Sequence, residues 1–148
     1  MNRWDRPIPE QEAHSERRSP SLADSGLYQL VIQLRGKCVV KVGRLGRFPF
    51  PAGYYVYTGS ARRGLEARIA RHIRSEKRLR WHIDYLLRQA RVVEVMRYDG
   101  NGLSECELSG RTGKLPGSKV VVPGFGSSDC ECLTHLFHFR RNPAQQLG

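Results

Sequence analysis

The chain has 148 residues and a mass of 16.9 kDa, enough for one hydrophobic core and too little for two. With 39% hydrophobic residues, 26% charged residues and a mean hydropathy of -0.52, it is neither membrane-spanning nor wholly disordered. No apolar run approaches the roughly 18 residues of a spanning helix, and Trp4, Asp5 and Pro7 stand where a signal peptide carries its apolar run; the cytoplasm is the expected location, with no membrane partner.

Lys and Arg number 25 against 14 Asp and Glu, giving a net charge of +11 and a pI of about 10.1. Most of these cations are Arg, whose planar fork pairs with phosphate oxygens, so nucleic acid is the expected partner. The competing reading is a basic face that serves only solubility. Four cysteines, at 38, 106, 130 and 132, are too few and too unevenly spaced for a secreted disulfide framework, so reduced thiols are expected.

Residues 1–24 mix Pro, Ser, Glu and Arg without apolar periodicity and read as a flexible leader; a single domain over 25–140 and a tail over 141–148 follow. From Leu27 to Leu34 the pattern alternates, with Tyr28, Leu30, Ile32 and Leu34 on one side and Gln29 and Gln33 on the other, which predicts a strand. A turn at Arg35-Gly36 and a second run, Cys38 to Val42, suggest a hairpin. Gly43 to Gly53 reads as a loop leading to a third strand, Tyr54 to Tyr57.

Two helices are expected next. Leu65, Ile69 and Ile73 recur every four residues, with Arg68, Arg71, His72 and Arg74 on other faces; a second helix, from about Arg80 to Arg91, turns Ile83, Leu86, Leu87 and Ala90 inward. Ten cations face three acids between Ser60 and Arg91, so the basic surface is concentrated here, with Arg62, Arg63, Arg71, Arg74, Lys77 and Arg78 as candidate nucleic-acid contacts. Val92 to Tyr98 predicts a further strand and Asn101-Gly102 a turn. Ser104 is placed to cap a short helix with acids in its first turn. Gly110 to Gly117 reads as a loop, and Val120–Val122 and Leu136–Phe139 as C-terminal strands.

Tyr28, Tyr57-Thr58-Gly59 and the pair Arg68 and His72, one helical turn apart, are positioned to converge, one group holding a phosphate and another a proton. Gly26-Leu27-Tyr28 and Tyr57-Thr58-Gly59, extended by Gly53 to Arg74 (GYYVYTGSARRGLEARIARHIR), Trp81 to Leu87 (WHIDYLL) and Pro123 to Phe139 (PGFGSSDCECLTHLFHF), resemble the GIY-YIG nuclease family, in particular its small single-domain Uri-type branch. The resemblance covers roughly residues 25 to 139. It implies an α+β fold with a small, about three-stranded antiparallel sheet flanked by helices. It also implies hydrolysis of a DNA phosphodiester with one Mg²⁺ or Mn²⁺ ion. Tyr28 and Tyr57 match the paired tyrosines of the family, Arg68 the helix arginine at the scissile phosphate, and His72 a position held by His or Tyr. Glu105, followed by the apolar Leu108, matches the metal-binding glutamate, with Glu107 as second choice. The Asn that many members carry near the domain's end has no clear counterpart; Ser127-Ser128-Asp129 is the segment that would replace it.

Two further groups stand apart. Cys130-x-Cys132-x-x-His135, with Cys106, has a spacing unusual for zinc, so buried reduced thiols are preferred over a structural zinc, and redox chemistry comes last. In Trp81-His82-Ile83-Asp84, His82 reads first as a residue bonded to Asp84 or backbone and second as a phosphate-site group; Trp81 is a core or rim aromatic that could also stack on a base. The functional alternatives to a nuclease are an inactive nucleic-acid-binding module of the same fold and a zinc-stabilised interaction domain.

Overall fold

The computed structural model describes residues 24–98 and 102–147. The expected leader therefore lies outside the described residues except for Asp24, as does Asn101 of the expected turn. Strands β1 (Gly26–Leu34), β2 (Cys38–Val42), β3 (Gly46–Phe50) and β4 (Gly53–Ala61) precede helices α1 (Leu65–Ile73) and α2 (His82–Leu86). Strand β5 (Arg91–Tyr98), helix α3 (Glu105–Gly113) and strands β6 (Lys119–Val120) and β7 (Leu136–Phe139) complete the order.

The class is α+β, but the sheet has five strands rather than about three, in the order β5-β1-β4-β7-β6, every pair antiparallel. The C-terminal strands expected as additions are part of this sheet. The expected β1–β2 hairpin does not form. Both edges of β1 are taken by β4 and β5, so β2 pairs instead with β3, which arises inside the segment read as a loop.

Tyr28, Leu30, Ile32 and Leu34 project from one face of β1 and pack with Tyr55 and Tyr57 of β4, Leu65, Ile69 and Ile73 of α1, and Ile83 and Leu86 of α2. Each such aliphatic side chain contributes about 1.5–3 kcal/mol by leaving water. The opposite face is also covered: Val31, Val56, Phe137 and Phe139 form a second cluster with Leu115, Ala144 and Leu147. Gln29, which alternation places on this second face, is therefore buried rather than solvated. Its Nε2 donates to Thr58 Oγ1 (2.9 Å) and Thr112 Oγ1 (2.7 Å), and its Oε1 accepts from the Tyr98 hydroxyl (2.6 Å), so the amide's polar groups are met within the core. The residues expected as a tail also join the fold, since Pro143 is buried and Ala144 and Leu147 pack on this cluster.

Helix α1 starts after Gly64, and Asp24 accepts from Leu65 N–H through its carbonyl (3.2 Å) and from Glu66 N–H through Oδ1 (3.0 Å). Asp24 thus belongs to the fold. Helix α2 is shorter than the expected Arg80 to Arg91 because the chain past Leu86 turns and from Arg91 is held by the β1 edge as β5. Helix α3 begins as expected at Ser104, whose Oγ accepts from Glu107 N–H (3.0 Å) while Glu107 Oε1 accepts from Ser104 N–H (2.9 Å). It continues through Gly110 to Gly113, where a loop was expected. The Phe137 ring would lie 2.8 Å from a Cβ at Gly113, so close packing explains that glycine. Among the described residues no helix is long and apolar enough to cross a membrane.

Candidate functional site

A cleft of about 360 Å³ opens where β1 begins and β4 ends, lined by Tyr28, Tyr57, Ser60, Arg68, Trp81, His82, Glu105, Ser128 and Asp129 among others. The antiparallel register sets Tyr28 opposite Gly59 and Leu30 opposite Tyr57, so the two tyrosines sit diagonally on one face, their ring centres 6.4 Å apart. Burial raises the pKa of both phenols. The neighbouring Tyr57 and Glu105 charges add to this for Tyr28 and the Glu105 charge for Tyr57, while the Arg68 guanidinium offsets only part. Both hydroxyls are therefore neutral hydrogen-bonding groups at physiological pH.

His72 lies behind Tyr28 rather than in the cleft. Its Nε2 is 2.7 Å from the Tyr28 hydroxyl and only 1% of the residue is exposed. The sequence pattern set it apart from the apolar stripe, yet position 72 falls two turns after Leu65 and so shares its buried face. Burial lowers its pKa to about 3 despite the opposing charge of Asp84, leaving a neutral ring. His72 therefore supports Tyr28 from the core and does not line the cleft.

Ser60 joins the two halves of the site. Its carbonyl accepts from Arg68 Nη1 (2.6 Å), and its hydroxyl donates to Glu105 Oε1 (2.6 Å). Arg68 reaches it from α1 and Glu105 from α3, on opposite faces of the sheet. The Arg68 guanidinium also lies 4.9 Å from the centre of the Trp81 ring, hydrogen-bonds the Tyr28 side chain and lines the cleft. The second oxygen of Glu105, Oε2, lies 2.9 Å from His135 Nδ1. Burial opposes ionisation of Glu105, but the bonds from His135 and Ser60 prevail and hold its pKa below the usual value, so it is a carboxylate. Glu107 is exposed and occupied by the helix cap, which leaves Glu105 as the glutamate of α3 that lines the cleft.

Two of the expected nucleic-acid contacts have structural partners instead. Arg71 pairs with the buried Asp84 through both guanidinium nitrogens (2.9 and 3.0 Å), donates to the Arg78 carbonyl and lies 4.5 Å from the Trp81 ring centre. Burial works against the Asp84 charge, but Arg71 and the N–H groups of Trp81 and Arg80 overcome it and lower its pKa. Lys77 donates to the His72 carbonyl (2.9 Å), and burial lowers its pKa to about 8. Arg62, Arg63, Arg74 and Arg78 are exposed. Trp81 is half-buried under Arg68, Arg71 and Arg80 and so is not open to a base on that face. His82 accepts from Gly126 N–H through Nδ1 (2.8 Å), the backbone role expected first, and also lines the cleft.

The sequence did not single out Ser60, nor connect His135 with Glu105; no residue pattern signals either. Ser128 and Asp129 do enter the cleft, from the segment flagged as a substitute for the missing Asn. The preference for buried thiols needs correction. Cys106, Cys130 and Cys132 are half-buried, and with His135 they bring four ligand atoms within 4.8 Å of one another. Such a sulfur-rich set can hold a metal ion and suits zinc better than magnesium.

Fold and cleft together define an α+β protein with a polar cleft at one sheet end and a Cys/His cluster beside it. Residues 27–147 match the family model described as Domain of unknown function DUF123, and the chain belongs to that family. No curated protein and no solved structure matches the chain significantly.

Proposed function

We propose that this protein is a divalent-metal-dependent DNA endonuclease of the GIY-YIG type, hydrolysing a phosphodiester at Tyr28, Tyr57, Arg68 and Glu105. The observation that carries this reading is the convergence of one carboxylate, one oriented guanidinium and two phenol hydroxyls on a single cleft. A cytoplasmic location, as the composition suggests, fits such a role.

The donor set fits Mg²⁺ or Mn²⁺. Glu105 Oε1 accepts one hydrogen bond and Oε2 is in ion-pair contact with His135, so both oxygens keep lone-pair capacity, and Asp129 offers a second carboxylate in the same cleft. When bound, the ion lowers the pKa of a coordinated water and polarises the phosphate. Arg68, held by the Ser60 carbonyl and beside Tyr28, binds a non-bridging phosphate oxygen at the cleft. Loss of such a transition-state donor raises a barrier by about 3–4 kcal/mol. Tyr28, anchored by His72, and Tyr57 orient the attacking water and the phosphate. Because burial disfavours charge on both phenols and on His72, they direct the proton rather than store it. The exposed Arg62, Arg63, Arg74 and Arg78 hold the flanking backbone.

The test is cleavage of branched, nicked and single-stranded DNA with Mg²⁺ and with chelator. The parent should cut only with metal, and Arg68→Ala and Glu105→Ala should be nearly silent, the latter still binding DNA. Binding without cleavage of any substrate would replace this reading with a nucleic-acid-binding module of the same fold.

A further inference from the structure

We infer that Cys106, Cys130, Cys132 and His135 form a structural Zn²⁺ site that fastens one wall of the cleft and orients Glu105 from behind. Three of these ligands come from the segment 121–135, which lies between β6 and β7 and contains no strand or helix. Structureless loops beyond roughly 12–15 residues are uncommon in compact domains unless something fixes them. The fourth ligand, Cys106, lies in the first turn of α3, directly after Glu105. A bound ion would therefore staple the loop to the helix, and the same loop carries Gly126, Ser128 and Asp129 into the cleft.

The spacing suits zinc. A tetrahedral Zn²⁺ with Zn–S bonds near 2.3 Å places its ligand atoms about 3.3–3.8 Å apart. His135 Nε2 is 3.5 Å from Cys130 Sγ and 3.8 Å from Cys106 Sγ, and all four ligand atoms already lie within 4.8 Å. Only a small contraction separates the cluster from a closed Cys₃His site. The thiols bind as thiolates and release their protons to solvent, while His135 binds as the neutral ring.

His135 faces two ways. Its Nε2 points to the sulfurs, and its Nδ1 lies 2.9 Å from Glu105 Oε2. Metal on Nε2 puts the proton on Nδ1, so the imidazole donates to Glu105, the arrangement in which a carboxylate supports a zinc-bound histidine. Orientation of Glu105 for catalysis rests on the proposed endonuclease reading; the zinc site does not.

Zinc content decides the matter without any nuclease assay. The reduced full-length protein is equilibrated with chelator-buffered Zn²⁺, desalted and analysed for metal; about one zinc per chain is expected, and a metal-free protein overturns the proposal. Replacing zinc by Co²⁺ should give the intense visible absorption of tetrahedral cobalt–thiolate coordination, and a weak octahedral spectrum counts against the site. Cys132→Ser should lose zinc, whereas Cys38→Ser, outside the cluster, should keep it. Because a ligand variant can lose the fold, Glu105→Ala provides a second reading: all four ligands remain, and zinc affinity by chelator competition should fall about 10-fold. An unchanged affinity breaks the proposed link to Glu105, and retained zinc with no DNA cleavage would sink the endonuclease alone.

Discussion

The Tyr28 ring occupies the space that a side chain on Gly59 would need: a Cβ there would fall 2.5 Å from both the Cζ and the hydroxyl oxygen of Tyr28. The two residues are direct partners across β1 and β4. The glycine of Tyr57-Thr58-Gly59 is thus a packing requirement of the first tyrosine, which explains why two short motifs far apart in sequence belong together.

Gly59→Ala should therefore displace the Tyr28 ring and its contact with His72, destabilising the protein by about 1–3 kcal/mol and abolishing cleavage. Gly110→Ala is the contrasting variant. It lies within α3 with no atom near the added Cβ, so it should stabilise by about 0.5–1 kcal/mol. Urea unfolding of both variants, with a cleavage assay, checks the pair.

His72 makes stability depend on pH. Its pKa drops from 6.5 to about 3 on folding, so between these values the unfolded chain binds more protons than the folded one. Stability is complete above 6.5 and is lost as pH falls towards 3, at up to about 1.4 kcal/mol per pH unit. Asp84, with its lowered pKa, acts in the same direction, but only in the acid range as its carboxyl protonates. His72→Gln should flatten the slope between pH 4 and 6.5 in urea titrations; an unaltered slope would refute this origin.

The basic residues should separate into two behaviours. Asp84 receives Arg71 and the N–H groups of Arg80 and Trp81, so Asp84→Ala should cost about 3 kcal/mol of stability by stranding buried donors and a partly buried guanidinium. Arg71→Ala should likewise lower stability, measured by denaturant midpoint. Arg62→Ala, Arg63→Ala and Arg74→Ala should leave that midpoint in place while weakening DNA binding and reducing its salt slope by roughly one each.

Gln29 provides a test of the second core face. Gln29→Leu keeps the approximate volume but removes the partner of Thr58, Thr112 and Tyr98, so a loss of about 1–3 kcal/mol is expected. Calorimetric unfolding should register it with the sheet otherwise intact.

Local pattern made much of this fold readable. Period-two alternation located β1, the four-residue recurrence of Leu65, Ile69 and Ile73 located α1, and Ser104 marked the start of α3, because each signal lies within one element and follows from backbone geometry. The pairing of β2 with β3, the burial of Gln29 and the continuation of α3 past Gly110 were not readable, since each depends on what a neighbouring element already occupies.

The same division holds at the site. Sequence by itself offered Tyr28, Tyr57, Arg68 and His72 as candidates, with Glu105 added by the family resemblance, together with a cationic chain suited to phosphate. Only the tertiary structure decided that His72 stands behind Tyr28, that Arg71 and Lys77 serve the fold, and that Glu107 caps a helix while Glu105 meets Ser60 and His135. Residue type dictates which bonds a side chain can make. Which bond it does make is set by the distances that chain closure imposes between α1, α3, β4 and the segment before β7, and those distances are written in no single stretch of sequence.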